Sequence, residues 1–200
     1  METNVRFTHQ ALVEQSKAGD TNAQYQLYGL YVDAMFNVAM RLLTIREDAE
    51  DVLQESFVEA FRKLDTFRYE STFGSWLKRI VINRSINHLK AKRMLLSSLE
   101  NEGEPEEEEL EEVDTLEIEK IKIGLGQLPE GYRQIITLYL IEGYDHVEIG
   151  EILDITTSTS KSQYHRAKKK LLEIHLFGGS QQSCGGHTTL DQFRCHWCLW

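Results

Sequence analysis

The sequence predicts an all-α fold made of two small helical domains joined by a flexible acidic linker. Only two prolines occur in the 200 residues, Pro105 and Pro129, so every other segment is free to be helical. Apolar residues recur at helical spacing in several segments, and no stretch alternates convincingly with the period of two that a half-buried strand requires. Residues 100–119 hold twelve Asp or Glu and no Lys or Arg, a composition typical of an extended linker between folded parts.

The first domain is expected over residues 1–99 as a compact four-helix unit. A short helix at about 8–18 precedes a long helix for which Asp20 is a candidate cap. Before the third helix, the stretch TIRE at 44–47 has the form of a capping box. Ser71 and Thr72 are candidate caps of the fourth helix. The apolar residues that define the last three helices are Leu27, Tyr31, Ala34, Met35, Val38, Leu42, Leu53, Phe57, Ala60, Phe61, Leu64, Trp76, Leu77, Ile80 and Val81.

The second domain is expected over residues 120–176. Pro129 suits the start of a helix, and Gly143 suits its end. The stretch DHVE at 145–148 resembles a second capping box, which opens a short helix through Leu153. A tight connection at 154–156 then leads into another helix. Two short helices joined by so brief a turn predict a helix-turn-helix, and the small Gly150 allows the pair to cross closely.

Charge is distributed unevenly along the chain, whose formal net charge is −10. Without the twelve acids of 100–119, the remaining residues contain 22 basic and 20 acidic side chains. Residues 71–99 hold six Lys or Arg and no acid, and residues 157–173 hold five Lys or Arg against one acid. Such basic segments, with their Ser, Thr and Gln side chains, offer donors to phosphates and base edges. The alternative for 157–173 is a solvated helix end whose cations the helix dipole favours.

Four stretches, in this order and spacing, resemble the sigma-70 superfamily and, within it, the extracytoplasmic-function (ECF) sigma factors of bacterial RNA polymerase. They are DAEDVLQESFVEAFRKL (48–64), FRYESTFGSWLKRIVINRSINHLK (67–90), LPEGYRQIITLYLIEGYDHVEIGEIL (128–153) and TSTSKSQYHRAKKKL (157–171). The resemblance implies a helical region 2, which reads the −10 promoter element, and a region 4, which reads the −35 element. It further implies a sigma factor that binds core RNA polymerase at the β′ clamp and β flap and directs transcription initiation on promoter DNA. An anti-sigma factor is a further candidate partner.

The resemblance also implies three contact surfaces. The surface for core polymerase comprises Asp48, Asp51, Val52, Gln54 and Glu55. Contacts to the −10 element are expected from Arg68, Tyr69, Lys78, Arg79, Asn83, Arg84, Asn87 and Lys90. Contacts to the −35 element are expected from Thr159, Ser160, Lys161, Ser162, Gln163, His165, Arg166 and Lys169. Aromatic rings interleaved with cations suit an unstacked single strand, and Tyr69 is the best placed for a base, whereas Phe73 and Trp76 are expected in the core.

Residues 159–168 depart from the pattern of the resembled family at three positions. Ser160 stands where the family usually has Val, while Gln163 and Lys168 stand where it usually has Arg. Glutamine can read adenine where arginine often reads guanine, so the departures leave the promoter sequence open and the binding mode unchanged. Asp154 occupies a turn position where Gly is common, and Asp tolerates a left-handed backbone better than most residues.

No motif of an enzyme is present, neither a glycine-rich phosphate loop nor a nucleophile elbow nor a paired-histidine zinc helix, so we expect neither catalysis nor a cofactor. All three cysteines lie in the tail at 177–200, which we expect to be disordered. Its spacing of Cys and His fits no zinc template, so no metal is expected. No segment has the length of a membrane span and the start lacks a signal-peptide pattern, so we expect a cytoplasmic protein without membrane insertion.

A second function remains open from the sequence, that of a helix-turn-helix transcriptional regulator that is not a polymerase subunit. Such a regulator needs a self-complementary apolar surface for dimerisation. Residues 48–90 carry instead an acidic helix and an aromatic, basic segment, and this favours the sigma factor.

Overall fold

The computed structural model describes residues 9–99 and 124–177 of the chain. Within these two ranges all regular structure is helical, which confirms the predicted all-α fold. Contacts divide the chain into two units, Met1–Glu104 and Pro105–Trp200, and the division falls inside the range predicted as a linker. The predicted linker itself, and the predicted tail with its cysteines, lie outside the described residues, so their limits stay predictions.

The first unit contains four α-helices: α1 (Gln10–Lys17), α2 (Thr21–Leu43), α3 (Arg46–Arg62) and α4 (Phe73–Leu99). A 3-10 turn, Leu64–Thr66, follows α3. The helices α2, α3 and α4 pack against one another, and α1 packs on α2. Their shared core is apolar and fully buried, as the helical spacing of the sequence predicts. Its largest members are Val13, Leu27, Leu42, Val52, Leu64, Leu77, Ile82 and Ile86.

Two of the three predicted helix caps of this unit are confirmed. The Asp20 carboxylate accepts hydrogen bonds from the backbone amides of residues 22 and 23, and Thr72 Oγ1 accepts one from Ser75 N at 3.1 Å. The capping box predicted at 44–47 is wrong. Thr44 is the left-handed residue that ends α2, with φ of 63°, and its hydroxyl donates to the Leu43 carbonyl at 2.6 Å. Because that hydroxyl points toward the end of α2, it does not cap α3, which begins after Ile45 without a side-chain cap.

The second unit begins with a short helical stretch at 124–126 and continues with α5 (Glu130–Ile136), directly after Pro129. A π-helical turn, Thr137–Ile141, extends α5, and the chain then reverses at Gly143, whose φ is 80°. Two further helices follow, α6 (His146–Leu153) and α7 (Thr157–Phe177). The core between α5 and α7 is apolar and comprises Leu125, Leu128, Ile136, Ala167 and Leu171.

The helices α6 and α7 form the predicted helix-turn-helix. The capping box predicted at the start of α6 is confirmed: Asp145 accepts from the amides of Val147 and Glu148, while Glu148 accepts from the amide of Asp145. The turn depends on Asp154, which has φ of 60° and ψ of 50°. It passes so close to α6 that a Cβ on Gly150 would lie 2.8 Å from the Ile155 carbonyl oxygen. A glycine is therefore required where the turn folds back.

Candidate nucleic-acid interface

One side of α7 forms a continuous polar surface, which we call the α7 face. The cap of this helix is Thr156, whose Oγ1 accepts from Thr159 N at 3.1 Å. The opposite side of the helix is anchored in the core by Ala167 and Leu171, which are 0% and 7% exposed. Exposed side chains recur on the α7 face every three or four residues and belong to Lys161, Ser162, His165, Arg166 and Lys169. All five are among the residues predicted to contact the −35 element.

Three other residues predicted for the same contacts are less accessible. Thr159 and Gln163 are half-buried at the edge of the α7 face. Ser160 is fully buried, and its Oγ lies 2.9 Å from His146 Nδ1 on α6. Because its hydroxyl turns toward the first helix and away from solvent, Ser160 is removed from the predicted DNA contacts.

The imidazole of His146 lies between aromatic rings. It stacks on Tyr139 with a centroid distance of 4.5 Å and an interplanar angle of 15°, and it meets the edge of Tyr164 at 5.7 Å. Burial lowers the pKa of His146, the cation of Lys161 lowers it further, and Asp145 acts in the opposite direction. These effects together lower the pKa of His146 and favour the uncharged ring. In the sequence, His146 stands out only as a member of the capping-box stretch at 145–148.

Acidic side chains of α3 are paired with cations of α4. Asp48 accepts a hydrogen bond from Lys92 at 2.8 Å, and this bond is the largest cause that holds the pKa of Asp48 below its usual value. Arg84 reaches Glu55 through Nη1 at 2.6 Å and Glu59 through Nε at 2.5 Å. Of the predicted docking acids, Asp48 and Glu55 thus have partners within the unit.

The predicted docking surface contains one residue that the structure places elsewhere. Val52 is 2% exposed and lies in the core between the helices, so it is removed from that surface. Asp51 and Gln54 are exposed on the solvent side of α3. A helical face assigned from charge alone included Val52 because it lies next to Asp51 in sequence, although successive helical residues are about 100° apart.

A groove of about 590 Å³ runs between α3 and α4. Its α3 wall carries Glu55 and Glu59, and its α4 wall includes the ring of Trp76. Four residues predicted to contact the −10 element line it together: Arg79, Asn83, Arg84 and Asn87. The groove therefore combines an aromatic ring, two amides and two guanidinium groups, which are groups that contact bases and phosphates. Arg68, Lys78 and Lys90 are not among its lining residues.

The loop before α4 is held by α1. Tyr69 adopts a left-handed backbone with φ of 60°, and its phenol donates a hydrogen bond to Glu14. Burial raises the pKa of Tyr69, and the bond to Glu14 raises it further. The Nζ of Lys17 donates to the Phe67 carbonyl at 3.1 Å and lies 4.8 Å from the centroid of the Tyr69 ring. Glu14 and Lys17 were missed by sequence reasoning, because they lie 55 and 50 positions away from their partners in this loop.

Phe73 and Trp76, the two aromatic residues expected in the core near this loop, differ in how deeply they are buried. Phe73 is 2% exposed, which confirms its core position. Trp76 is half-buried, with its ring 5.3 Å from that of Phe67, and it also lines the groove. The expectation of a purely internal Trp76 is therefore corrected, since one side of its ring reaches the surface.

Comparison with known proteins identifies the family. The sequence model of the family sigma-70 region 2 matches residues 27–94, and the sequence model of sigma-70 region 4 matches residues 124–171. The ECF RNA polymerase sigma-E factor of Haemophilus influenzae is 34% identical over 83% of this chain and 94% of its own length. The ECF sigma factor SigW of Bacillus subtilis is 30% identical over 80% of this chain and 92% of its own length. The chain belongs to the ECF sigma factors of the sigma-70 family.

In this ECF sigma factor, region 2 covers most of α2, all of α3, the loop after it and α4 as far as residue 94. Region 4 covers α5, α6 and most of α7. The helix α1 precedes the matched range. An ECF sigma factor binds core RNA polymerase and directs promoter recognition and transcription initiation. The comparisons do not favour the alternative, a regulator outside the polymerase.

Solved structures agree with the fold of the ECF sigma factor. CnrH, solved in complex with the cytosolic domain of CnrY, matches 85% of this chain and 97% of its own with a TM-score of 0.51 at 25% identity. The sigma factor RpoE of Bartonella quintana, solved with the anti-sigma factor NepR, matches 75% of this chain and 94% of its own with a TM-score of 0.53 at 24% identity. Among the helices that the structure describes, none is both long and apolar enough to cross a membrane.

Proposed function

We propose that this ECF sigma factor contacts the −35 element through the α7 face, holds the opened −10 strand along α4, and docks on the β′ clamp of core polymerase through α3. The observation that carries the proposal is the α7 face itself. Its cations and polar groups are exposed together, while the far side of the helix is anchored by Ala167 and Leu171. A helix held in this way presents side chains to the major groove in a fixed orientation.

Contacts to the −10 element are assigned to two neighbouring places. The groove along α4 supplies Arg79, Asn83 and Asn87, which are exposed and can approach a single strand. The loop supplies the ring of Tyr69, onto which an unstacked base can pack. Arg68, Lys78 and Lys90, which lie outside the groove, are assigned to the phosphates, since cations recognise the backbone without reading sequence.

The docking surface for the clamp is reduced to Asp48, Asp51, Gln54 and Glu55. Asp51 and Gln54 are exposed and carry the main part of the proposal. Asp48 and Glu55 contribute less, because Lys92 and His88 contact the two carboxylate oxygens of Asp48, and Arg84 contacts one of those of Glu55. Charge complementarity at such a surface chiefly fixes orientation and speeds association. The contact with the β flap is assigned to region 4 as a whole.

The protein acts in the cytoplasm without chemistry of its own, and core polymerase supplies the catalytic centre. An anti-sigma factor is a further proposed partner, supported by the structurally similar RpoE of Bartonella quintana, which was solved in complex with the anti-sigma factor NepR. Such a partner would restrain the sigma factor by covering surfaces that polymerase or promoter DNA needs.

Transcription with purified core polymerase on a library of promoter fragments tests the proposal. The wild-type protein should initiate at fragments that share a −35 and a −10 element. The double variant Lys161→Ala with Arg166→Ala should lose the −35 requirement, whereas Arg46→Ala, which removes an exposed cation from the other unit, should behave as wild type. Initiation with an unchanged −35 requirement in the double variant would overturn the assignment of the α7 face.

A further inference from the structure

We propose that His146 and Ser160 form a positioning pair that fixes the orientation of the recognition helix α7 on α6, and so determines how well the −35 element is discriminated. The inference rests on the proposed role of the α7 face. Neither residue contacts DNA in this proposal. Ser160, which the sequence predicts as a DNA contact, instead acts from the buried side of α7, the helix that contacts the −35 element.

The first argument is the burial of the Ser160 hydroxyl. The residue is 0% exposed, and its Oγ is 2.9 Å from His146 Nδ1. A hydroxyl taken out of water must find a partner, because an unsatisfied one loses the full free energy of its hydration. The imidazole of His146 supplies that partner from the other helix. The bond thus joins the first turn of α6 to the first turn of α7.

The second argument is that His146 is itself held firmly. The ring stacks on Tyr139 of the π-helical turn and meets Tyr164 of α7 edge-on. Its backbone follows Asp145, whose capping box fixes the start of α6. One side chain therefore connects three elements: the π-helical turn, the first helix of the motif and the recognition helix.

The third argument is the place of the pair relative to the α7 face. Ser160 directly precedes Lys161, and Arg166 lies less than two turns further along the same rigid helix. A small rotation of α7 about its axis would therefore move both cations together. Base-edge contacts need well-defined geometry, whereas phosphate contacts by flexible cations tolerate such a rotation. Loss of the pair should reduce discrimination more than total affinity.

The charges around the imidazole favour its uncharged form, in which Nδ1 and the Ser160 hydroxyl can share one hydrogen bond, with the donor set by the tautomer of the ring. The cation of Lys161 approaches it from α7, and Asp145 opposes this effect from its own helix. The phenols of Tyr139 and Tyr164, on the π-helical turn and on α7, are the other titratable groups packed against it. Protonation would add a second positive charge beside Lys161, which burial and Coulomb repulsion both disfavour.

A set of three variants separates positioning from simple stability. His146→Phe keeps an aromatic ring between the two tyrosines but leaves the Ser160 hydroxyl buried without its partner. Ser160→Val removes that hydroxyl and restores the residue type that the sequence pattern of the family usually has there. The double variant has an apolar ring against an apolar side chain. We expect His146→Phe to reduce discrimination of the −35 element strongly and Ser160→Val to reduce it only slightly. The double variant should recover most of the discrimination that His146→Phe loses.

The measurement is the ratio of holoenzyme affinities for two promoter fragments that share one −10 element, one with its own −35 element and one with a scrambled −35 element. It is made well below the melting temperature of each full-length variant, so every sample is folded. We expect His146→Phe to reduce the ratio about fivefold to tenfold, the lower end of the range for an orphaned buried group. The double variant should return to within about threefold of wild type, since replacing both partners by apolar groups can be nearly neutral.

The outcomes are distinct. An unchanged ratio in His146→Phe, or a ratio in the double variant as low as in His146→Phe, would overturn the positioning pair. Wild-type protein that shows no preference for its own −35 element would overturn the proposed role of the α7 face, and the pair with it. Lys161→Ala with Arg166→Ala serves as the reference for complete loss of −35 recognition.

Discussion

The guanidinium of Arg84 on α4 donates a hydrogen bond to the carboxylate of Glu55 on α3 at 2.6 Å. Glu55 belongs to the proposed docking surface for polymerase, and Arg84 lines the groove beside the proposed −10 contacts Asn83 and Asn87. The same guanidinium also contacts Glu59. The two proposed surfaces therefore meet at one ion-pair network. A partner that binds Glu55 competes with Arg84 for its carboxylate.

The first prediction concerns the stability that this network contributes. Arg84→Gln should lower the free energy of unfolding of the first unit by about 1 kcal/mol, because partly exposed pairs contribute up to about that amount. The relevant side chains are 36% exposed for Arg84 and 23% for Glu59. Urea unfolding of the full-length chain measures the change. Arg46→Gln, which breaks a more exposed pair with Glu50, is the control and should cost less than about 0.5 kcal/mol. Equal costs in both variants would contradict the prediction.

The second prediction is a loss of stability in acid. Hydrogen bonds from Lys63 and Arg84 lower the pKa of Glu59, and those from Lys92 lower the pKa of Asp48. Carboxyl groups with a lowered folded-state pKa stabilise the fold fully above their unfolded values of about 4, and this contribution disappears as the pH falls through the folded values. The free energy of unfolding of the first unit should therefore fall between about pH 5 and pH 3. Asp48→Asn with Glu59→Gln should show a shallower fall; an unaltered slope would argue against these two groups.

The third prediction concerns assembly with polymerase. Asp51→Lys should weaken binding to core polymerase about tenfold, because a reversed charge at a complementary interface costs a few kcal/mol at most when solvent reaches it. Asp51 is exposed, so the variant should remain folded. Asp33→Lys makes the same change at an exposed position on α2 and should bind like wild type. Titration of labelled sigma factor with core measures both. Equal affinities for the two variants would remove Asp51 from the docking surface.

The fourth prediction separates the ring of Tyr69 from its hydroxyl. Tyr69→Ala removes the surface on which a base can stack and should slow promoter opening strongly. Tyr69→Phe removes the hydrogen bond to Glu14, and Glu14→Ala removes that bond together with the ion pair to Lys17, so the first should slow opening modestly and the second at least as much. Their combination should be no worse than Glu14→Ala alone, because both variants lose the Tyr69–Glu14 bond.

Permanganate footprinting of the opened strand follows this reaction over time. Occupancy of the promoter, measured in parallel, should be equal in the wild type and in all four variants. An opened region that forms at the wild-type rate in Tyr69→Ala would exclude the ring from the site. Additive effects of Tyr69→Phe and Glu14→Ala would show that α1 acts on opening by another route.

Helical periodicity was sufficient to predict the four helices of the first unit and the helix-turn-helix of the second, because burial of an apolar face largely determines both. The capping-box pattern predicted the cap at Asp145 correctly and the cap at Thr44 wrongly. The two stretches have the same form, but Thr44 uses its hydroxyl to end the preceding helix. Sequence alone does not say which of two adjacent helices such a residue serves.

Individual site residues were harder to predict than helices. Val52 and Ser160 were placed on contact surfaces by the resemblance to the family, and both are buried. Arg84 was placed among the DNA contacts in the same way, yet its partners lie on another helix 25 and 29 residues away. Five of the eight residues predicted to contact the −35 element are exposed, and all five lie on one face of a single helix.

The π-helical turn at Thr137–Ile141 has a consequence for homology modelling and for protein engineering. A π turn holds one residue more than an α turn, so the side chains within it, including that of Tyr139, point in other directions than in an uninterrupted α-helix. A template that lacks this extra residue would therefore align well in sequence and still direct Tyr139 away from His146. Deletion of a single codon within the segment is the change that would produce such a regular helix. Indel variants at these five positions should thus be far more informative about the recognition helix than point substitutions there.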